Sequence, residues 1–309
     1  MATKKPKSSA KTTKSTAKTT KPKTTAAKTV EKPVSEATKT NTVEKTETKG
    51  KSCFSGFFSK KYEEKESILT VFKSHKFYGA LLGEVIGTAL ITLLLLASSL
   101  MGIASIATYS FAVLAIFIAI YAFSGACLNP IVTIGMMASR RMSVIRGVMY
   151  IIAEIIGAWL GWLIFSAFHA AGGETAYEIP VMAEVVDKNF FVTAMVELFG
   201  AVIIAFFYAR AIKYKRSVFT FSATIAGGLA LAIIVGYVVS AAFVGLSNNF
   251  IFNPASALML QIFPTTGENF GEIMSGVCQA LTIYALFPAI GGVCGFYLSD
   301  FLGKLNSEE

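Results

Sequence analysis

The residues of this chain whose types and spacing could do chemistry sit in two short stretches that echo each other. One runs from Ser124 to Ala138 as Ser-Gly-Ala-Cys-Leu-Asn-Pro-Ile-Val-Thr-Ile-Gly-Met-Met-Ala, and the other from Ile251 to Ile262 as Ile-Phe-Asn-Pro-Ala-Ser-Ala-Leu-Met-Leu-Gln-Ile. Each opens a short apolar run with an Asn-Pro pair and is too short to cross a bilayer. Proline is favoured at the first helical position, where its missing N–H would lack a partner in any case. Asparagine is a preferred N-cap, its side-chain oxygen accepting an orphan backbone N–H. With those oxygens occupied, Asn129 and Asn253 keep their NH2 groups as donors. Two half-helices meeting end to end at the centre of a bilayer would bring two donors and two positive dipole ends to one point. Such a point holds an oxygen and repels a cation. One Asn-Pro alone reads as well as a turn; a second copy in the matching half of an apolar chain favours the paired arrangement.

Three acids, Glu84, Glu154 and Glu197, fall inside apolar segments. An intramembrane carboxylate is a functional residue by default, either as a fixed acceptor or as a proton relay. There is no nucleotide loop, no nucleophile with a base and no metal spacing, so the chemistry is that of a passive pore rather than an enzyme, with no cofactor or metal. Cys53, Cys127, Cys278 and Cys294 form neither a disulfide framework nor a ligand set. Cys127, two residues before Asn129, is expected at the cytoplasmic vestibule; the others read as small buried hydrophobes. His75 and His169 lie at helix margins without a cluster around them.

The run Ser124 to Gly135, the triplet Asn253-Pro254-Ala255 and the segment Glu84-Val-Ile-Gly87-Thr88 resemble the aquaporin and glycerol-facilitator family, the major intrinsic proteins. The resemblance extends from about Tyr78 to Leu302. It implies an all-α membrane protein, a right-handed bundle of six transmembrane helices plus two re-entrant half-helices built as an inverted repeat. It also implies a passive channel for water and small uncharged solutes such as glycerol, assembled as a homotetramer. The half-helix motifs are then Asn129, Pro130, Ile131 and Asn253, Pro254, Ala255. Glu84 and Glu197 match the family's paired glutamates, which accept hydrogen bonds from the non-helical backbone before each half-helix. Glu154 stands where relatives often carry a neutral amide. The family's narrow filter would fall on Tyr109, Ala241, the residues just before the second motif, and Ser256. Relatives carry an arginine at the position of Ser256, followed by Asp in glycerol channels and Ser in water channels; Ser256-Ala257 matches neither. The missing guanidinium and the small Ala241 imply a wider, less positive filter; Tyr284 leans toward the water channels, while the absence of a tryptophan after it leans away.

The elements that must position these residues are legible in composition. Hydrophobic residues make up 54% of the chain and charged ones 15%, too apolar for a soluble protein of this length. Six segments are long and apolar enough to span: about Tyr78 to Met101, Ala104 to Phe123, Ser143 to Phe168, Phe190 to Ile212, Phe219 to Leu246 and Gly276 to Leu302. Glu84-Val-Ile-Gly87 opens the first three and Glu197-Leu-Phe-Gly200 the second three, and an odd number of spans per repeat inverts one half against the other. Gly83 with Gly87, Gly157 with Gly161, Gly227 with Gly228, and Gly291 or Gly292 with Gly295 mark close helix contacts. Pro288 is expected to bend the last span.

Basic residues set the orientation. Arg140, Arg141, Arg146, Arg210, Lys213, Lys215, Arg216 and Lys304 alternate with a face carrying Glu174, Glu178, Glu184, Asp187, Glu268 and Glu272, which puts both termini in the cytoplasm of a multi-pass cell-membrane protein. The net charge of +9 is unevenly spread: residues 1–76 hold nineteen lysines and seven glutamates, a net of +12, which leaves −3 for the rest. This Lys/Thr-rich tail, without an aromatic residue before Gly50, is expected to be disordered. It reads as a solvated cytoplasmic tail, as an arm held near anionic lipid, or as a binder of another polyanion such as DNA or RNA. Residues 53–77 interleave aromatics with Lys and Glu and suggest an interfacial helix leading into a channel domain at 78–303. Two rivals to the pore stay open: a proton-coupled secondary transporter using the intramembrane glutamates, and a membrane anchor whose work is done by the tail.

Overall fold

Within hydrocarbon no water is present to satisfy a peptide group, so an apolar segment crosses only by pairing its N–H and C=O groups along its own helix. The computed structural model describes residues 72–99, 105–172, 190–213, 217–243, 250–262 and 269–306, and among them no strand occurs. The helices are α1 (His75–Ser99), α2 (Ser105–Ser124), α3 (Pro130–Ala138), α4 (Val144–Gly172), α5 (Phe190–Lys213), α6 (Val218–Phe243), α7 (Pro254–Ala257, continued by a π-helical turn over Leu258–Ile262) and α8 (Phe270–Leu281 and Phe287–Leu305, joined by a π-helical turn over Thr282–Leu286). Six of these described helices, all except α3 and α7, are long and apolar enough to cross a bilayer. The tail and most of the segment 53–77 lie outside the described residues. At the edge of that segment, Phe72 packs edge-on against Phe77, with ring centroids 5.7 Å apart, where α1 has already begun.

The last span starts earlier than its apolar run suggests, at Phe270 rather than Gly276. Asn269 caps it, its side-chain oxygen accepting the Glu272 N–H (3.0 Å) while its amide donates to the Glu272 carboxylate (2.8 Å). A polar first turn hides from a hydropathy reading. Pro288 follows the π-helical turn rather than acting alone: that extra residue of backbone accommodates a ring whose missing N–H and bulk conflict with a regular helix.

The inverted repeat is built into the packing. The main helix contacts are α1 with α4 in the first half and α5 with α8 in the second. Gly157 and Gly161 of α4 lie against the carbonyls of Val85 and Ala89, and Gly291 and Gly295 of α8 lie against those of Leu198 and Val202. In both halves the carbonyls belong to the residues one and five positions after the buried glutamate. A Cβ would stand 2.4 Å from the Val85 oxygen at Gly157 and 2.4 Å from the Leu198 oxygen at Gly291, so only glycine allows these helices so close. The half-helices cross over between the repeats, α3 packing on α8 and α7 on α4. Gly228 meets the Phe207 ring, but its neighbour Gly227 faces open space and marks no contact, contrary to the expectation from sequence. Gly292 belongs to the half-helix contact, against the Ile131 carbonyl. Outward faces of the bundle expose Leu82, Ile86, Phe199, Leu298 and Phe301, the surface a bilayer covers.

Candidate functional site: the junction of the half-helices

Each half-helix starts on an extended asparagine. Asn129 (φ −161°, ψ 123°) accepts the Ile131 N–H at 3.0 Å, and Asn253 (φ −148°, ψ 101°) accepts those of Ala255 at 3.1 Å and Ser256 at 3.4 Å. Their amides then reach into the opposite repeat. Asn129 donates to the carbonyl of Phe252 (2.7 Å) and Asn253 to that of Leu128 (3.2 Å), so each asparagine holds the residue that precedes the other. An amide NH2 carries two protons. One of each pair is used by this interlock, and one is left at the junction, beside the positive ends of two helices.

The preceding residues pay a backbone cost for that geometry. Leu128 and Phe252 adopt φ of 53° and 54°, the left-handed region, which costs a side-chain-bearing residue roughly 1–2 kcal/mol. Two features offset it in each half. Glu84 accepts the N–H groups of Cys127 (3.1 Å) and Leu128 (2.6 Å), while Glu197 accepts those of Ile251 (2.5 Å) and Phe252 (3.1 Å). One turn along the same helices, Gly87 and Gly200 leave room for the displaced side chains: an added Cβ would come within 2.4 Å of Leu128 Cδ2 and 2.1 Å of Phe252 Cε1. The Glu-x-x-Gly pattern is thus an acceptor followed by a hole.

The first half carries further supports. Glu154 of α4 accepts the Thr133 hydroxyl (2.6 Å), while its Oε2 is buried with no partner among the described residues. The Tyr150 hydroxyl donates to the Ser124 carbonyl (3.1 Å), and the Tyr208 hydroxyl to the Gly125 carbonyl (2.8 Å). In the second half Phe252 stacks on Phe250 (5.0 Å), which meets Tyr237 edge-on (5.1 Å).

Among the residues singled out from sequence, the structure brings together Asn129, Pro130, Ile131, Asn253, Pro254, Ala255, Glu84 and Glu197. Cys127 is not at a vestibule: it is wholly buried, with Sγ 3.7 Å from the Tyr208 hydroxyl, because α5 closes over that side of the segment. Ser256 likewise has no exposed surface, and its hydroxyl pairs with that of Thr92 on α1 at 2.8 Å. Tyr109 is buried among apolar neighbours on α2, and Ala241 is exposed in the last turn of α6. Sequence reasoning missed Thr92, Thr133, Tyr150 and Tyr208; the available signal was a hydroxyl on an otherwise apolar helix.

Asn253→Asp tests the interlock. A carboxylate still accepts the Ala255 and Ser256 N–H groups but cannot donate to Leu128, and it sets an anion against the helix ends. The expected result is reduced neutral-solute flux with a new cation leak, read by light scattering and by a potential-sensitive dye in the same vesicles. Unchanged flux without a leak would show that this side chain does not face the path.

Comparison with known proteins places the architecture. The family profile described as major intrinsic protein matches residues 71–298. Aquaporin-1 of Sus scrofa is 26% identical over 187 residues, spanning 60% of this chain and 62% of that relative, somewhat less than two thirds of its length. The probable aquaporin AqpM of Archaeoglobus fulgidus is 25% identical over 198 residues, 63% of this chain and 74% of its own. Among solved structures, the aquaglyceroporin from Plasmodium falciparum superposes with a TM-score of 0.56 at 18% identity, covering 74% of this chain and 99% of that one, a likeness of fold. With the profile covering most of the chain and the two half-helices interlocked inside an inverted six-span repeat, the chain belongs to the major intrinsic protein family.

Proposed function

We propose that this protein is a passive channel for water and small uncharged solutes such as glycerol. The observation that carries the reading is the junction itself, where two asparagine amides and two helix N-termini converge between the repeats. Their free protons suit an oxygen passing in single file, while two positive dipole ends oppose a cation. The relatives named as aquaporins and the fold shared with an aquaglyceroporin support the same reading. Water and small neutral solutes are then the partners of the path, and the apolar outer faces suit lipid and the neighbouring copies of a homotetramer. The basic residues favour a cell-membrane protein with both termini cytoplasmic, its tail available to anionic lipid or another polyanion.

The absence of a guanidinium after Ala255 favours solutes larger than water. Ser256 packs against Thr92, which itself lies against Gly161, so an arginine at 256 cannot keep the buried place of the serine and adds bulk and positive charge beside the second motif. Ser256→Arg is therefore expected to lower glycerol permeability more than water permeability; a glycerol-to-water ratio that holds or rises would place selectivity elsewhere. The central experiment is stopped-flow light scattering of proteoliposomes under water, glycerol and urea gradients, at neutral and acidic pH. Flux down the gradient that ignores a proton gradient supports a pore, whereas uptake driven by protons would sink it in favour of a transporter.

A further inference from the structure

Tyr208 stands on α5, in the second repeat, and binds a backbone group of the first. Its hydroxyl donates to the Gly125 carbonyl at 2.8 Å and lies 3.7 Å from Cys127 Sγ. The bond spans the two repeats beside the segment that leads into Asn129. In that segment Gly125, Ala126 and Leu128 take φ of 87°, 52° and 53°, so its carbonyls turn outward instead of closing into a helix. Several of these acceptors are taken: Ser124 by Tyr150, Gly125 by Tyr208 and Leu128 by Asn253. Among the described residues none donates to the carbonyls of Ala126 and Cys127, although both residues are wholly buried. A buried carbonyl left open by the protein calls for a hydrogen-bonding guest.

The tyrosine is held rigidly. Its ring meets Phe221 of α6 at 5.4 Å and Phe296 of α8 at 6.2 Å, so it cannot withdraw unless those rings move. The other repeat has no equivalent: Tyr208 lies eleven residues after Glu197, and the residue eleven after Glu84 is Leu95, which has no hydroxyl.

We propose that Tyr208 is a specificity-determining residue of the path, its phenol ending the row of open carbonyls at Gly125 and its ring setting the width beside Ala126 and Cys127. The proposal rests on the channel reading above. Water needs few acceptors and passes the remaining pair. A polyol, with several hydroxyls to satisfy at once, is held back by the lost acceptor and by the ring.

The test uses the full-length chain in proteoliposomes, with Cys53, Cys278 and Cys294 replaced by serine so that Cys127 is the only thiol. Tyr208→Phe frees the Gly125 carbonyl with the ring in place, and is expected to raise the glycerol-to-water permeability ratio about fivefold, the effect of one net hydrogen bond on a barrier. Tyr208→Ala removes the ring as well and should raise the ratio further. It should also speed labelling of Cys127 by a small methanethiosulfonate, and that label should block flux. A ratio unchanged in Tyr208→Phe, with water and glycerol falling together, would reduce Tyr208 to a packing residue and overturn the proposal. So would labelling of Cys127 that leaves flux intact. Absence of any flux in the parent would overturn the channel reading and this proposal together, whereas normal parent flux with either of the two preceding results overturns this proposal alone.

Discussion

Glu84→Gln is expected to damage the protein more than Glu197→Gln, although the two acids hold matching positions. Glu84 uses one oxygen for each backbone donor, Oε1 for Cys127 and Oε2 for Leu128. An amide keeps only one oxygen, so whichever way it turns, one buried N–H loses its acceptor, at a cost of about 1–3 kcal/mol. At Glu197 a single oxygen, Oε1, receives both Ile251 (2.5 Å) and Phe252 (3.2 Å), with Oε2 sharing the Phe252 N–H at 3.1 Å; a glutamine oxygen in the place of Oε1 keeps a bond to each donor and loses only the shared contact. Leucine at either position orphans two donors where neither water nor lipid replaces the acceptor, roughly 2–6 kcal/mol by the same reckoning, against a total stability of only about 5–15 kcal/mol. The order expected in thermal unfolding of the detergent-solubilised protein is parent, Glu197→Gln, Glu84→Gln, then the two leucine variants, with water permeability lost in the last two. Equal melting temperatures for the two glutamine variants would show that the split between oxygens carries no weight.

Gly157→Ala and Gly291→Ala are expected to fail together, for the same reason in opposite halves. Each added methyl would meet a backbone carbonyl at 2.4 Å, and a carbonyl inside a helix cannot turn aside as a side chain can. The helices must separate, which costs about 1–3 kcal/mol or more in overpacking and also displaces the glutamate on the same helix from its half-helix. Gly227→Ala is the control, since nothing lies within 4 Å of its added methyl and alanine favours a helix by about 1 kcal/mol over glycine. The measurement is monodisperse yield and melting temperature for all three. Tolerance of alanine at 157 or 291 would mean that the close approach of α4 to α1, or of α8 to α5, is not required.

What was legible in the sequence followed the reach of each interaction. The caps of Asn129 and Asn253 act over two or three residues, so the Asn-Pro pairs disclosed them, and the spans announced themselves by uninterrupted apolar length. Glu84-x-x-Gly87 and Glu197-x-x-Gly200 were visible as a repeat. The job of the glycines was not, because the rings and methyls they admit, Phe252 and Leu128, come from distant parts of the chain. Glycine pairs signalled close contact without saying on which face, which is why Gly291 and Gly295 met a helix while Gly227 met nothing. The inward placement of Cys127 and Ser256 is hidden from the sequence on the same ground. Their places beside the motifs suggested an open face, but hydroxyls from Tyr208 and Thr92, 81 and 164 residues away in sequence, draw them inward. The π-helical turns left no trace in composition beyond Pro288.

The uneven support of the two motifs bears on the order in which the chain is made. Everything that holds the first motif within its own repeat, Glu84, Tyr150 and Glu154, has been synthesised by the end of α4. Its partner Phe252 emerges about a hundred residues later, at the pace of elongation a wait of several seconds. During that wait Asn129 has a finished seat but an idle amide. The second motif arrives to find its receptor already built: Leu128 presents its carbonyl, and Thr92 stands ready for Ser256. The first repeat thus serves as the template on which the second closes, so a nascent chain halted after α4 should already protect the backbone around Asn129 from hydrogen exchange, whereas one beginning at α5 should leave the backbone around Asn253 open.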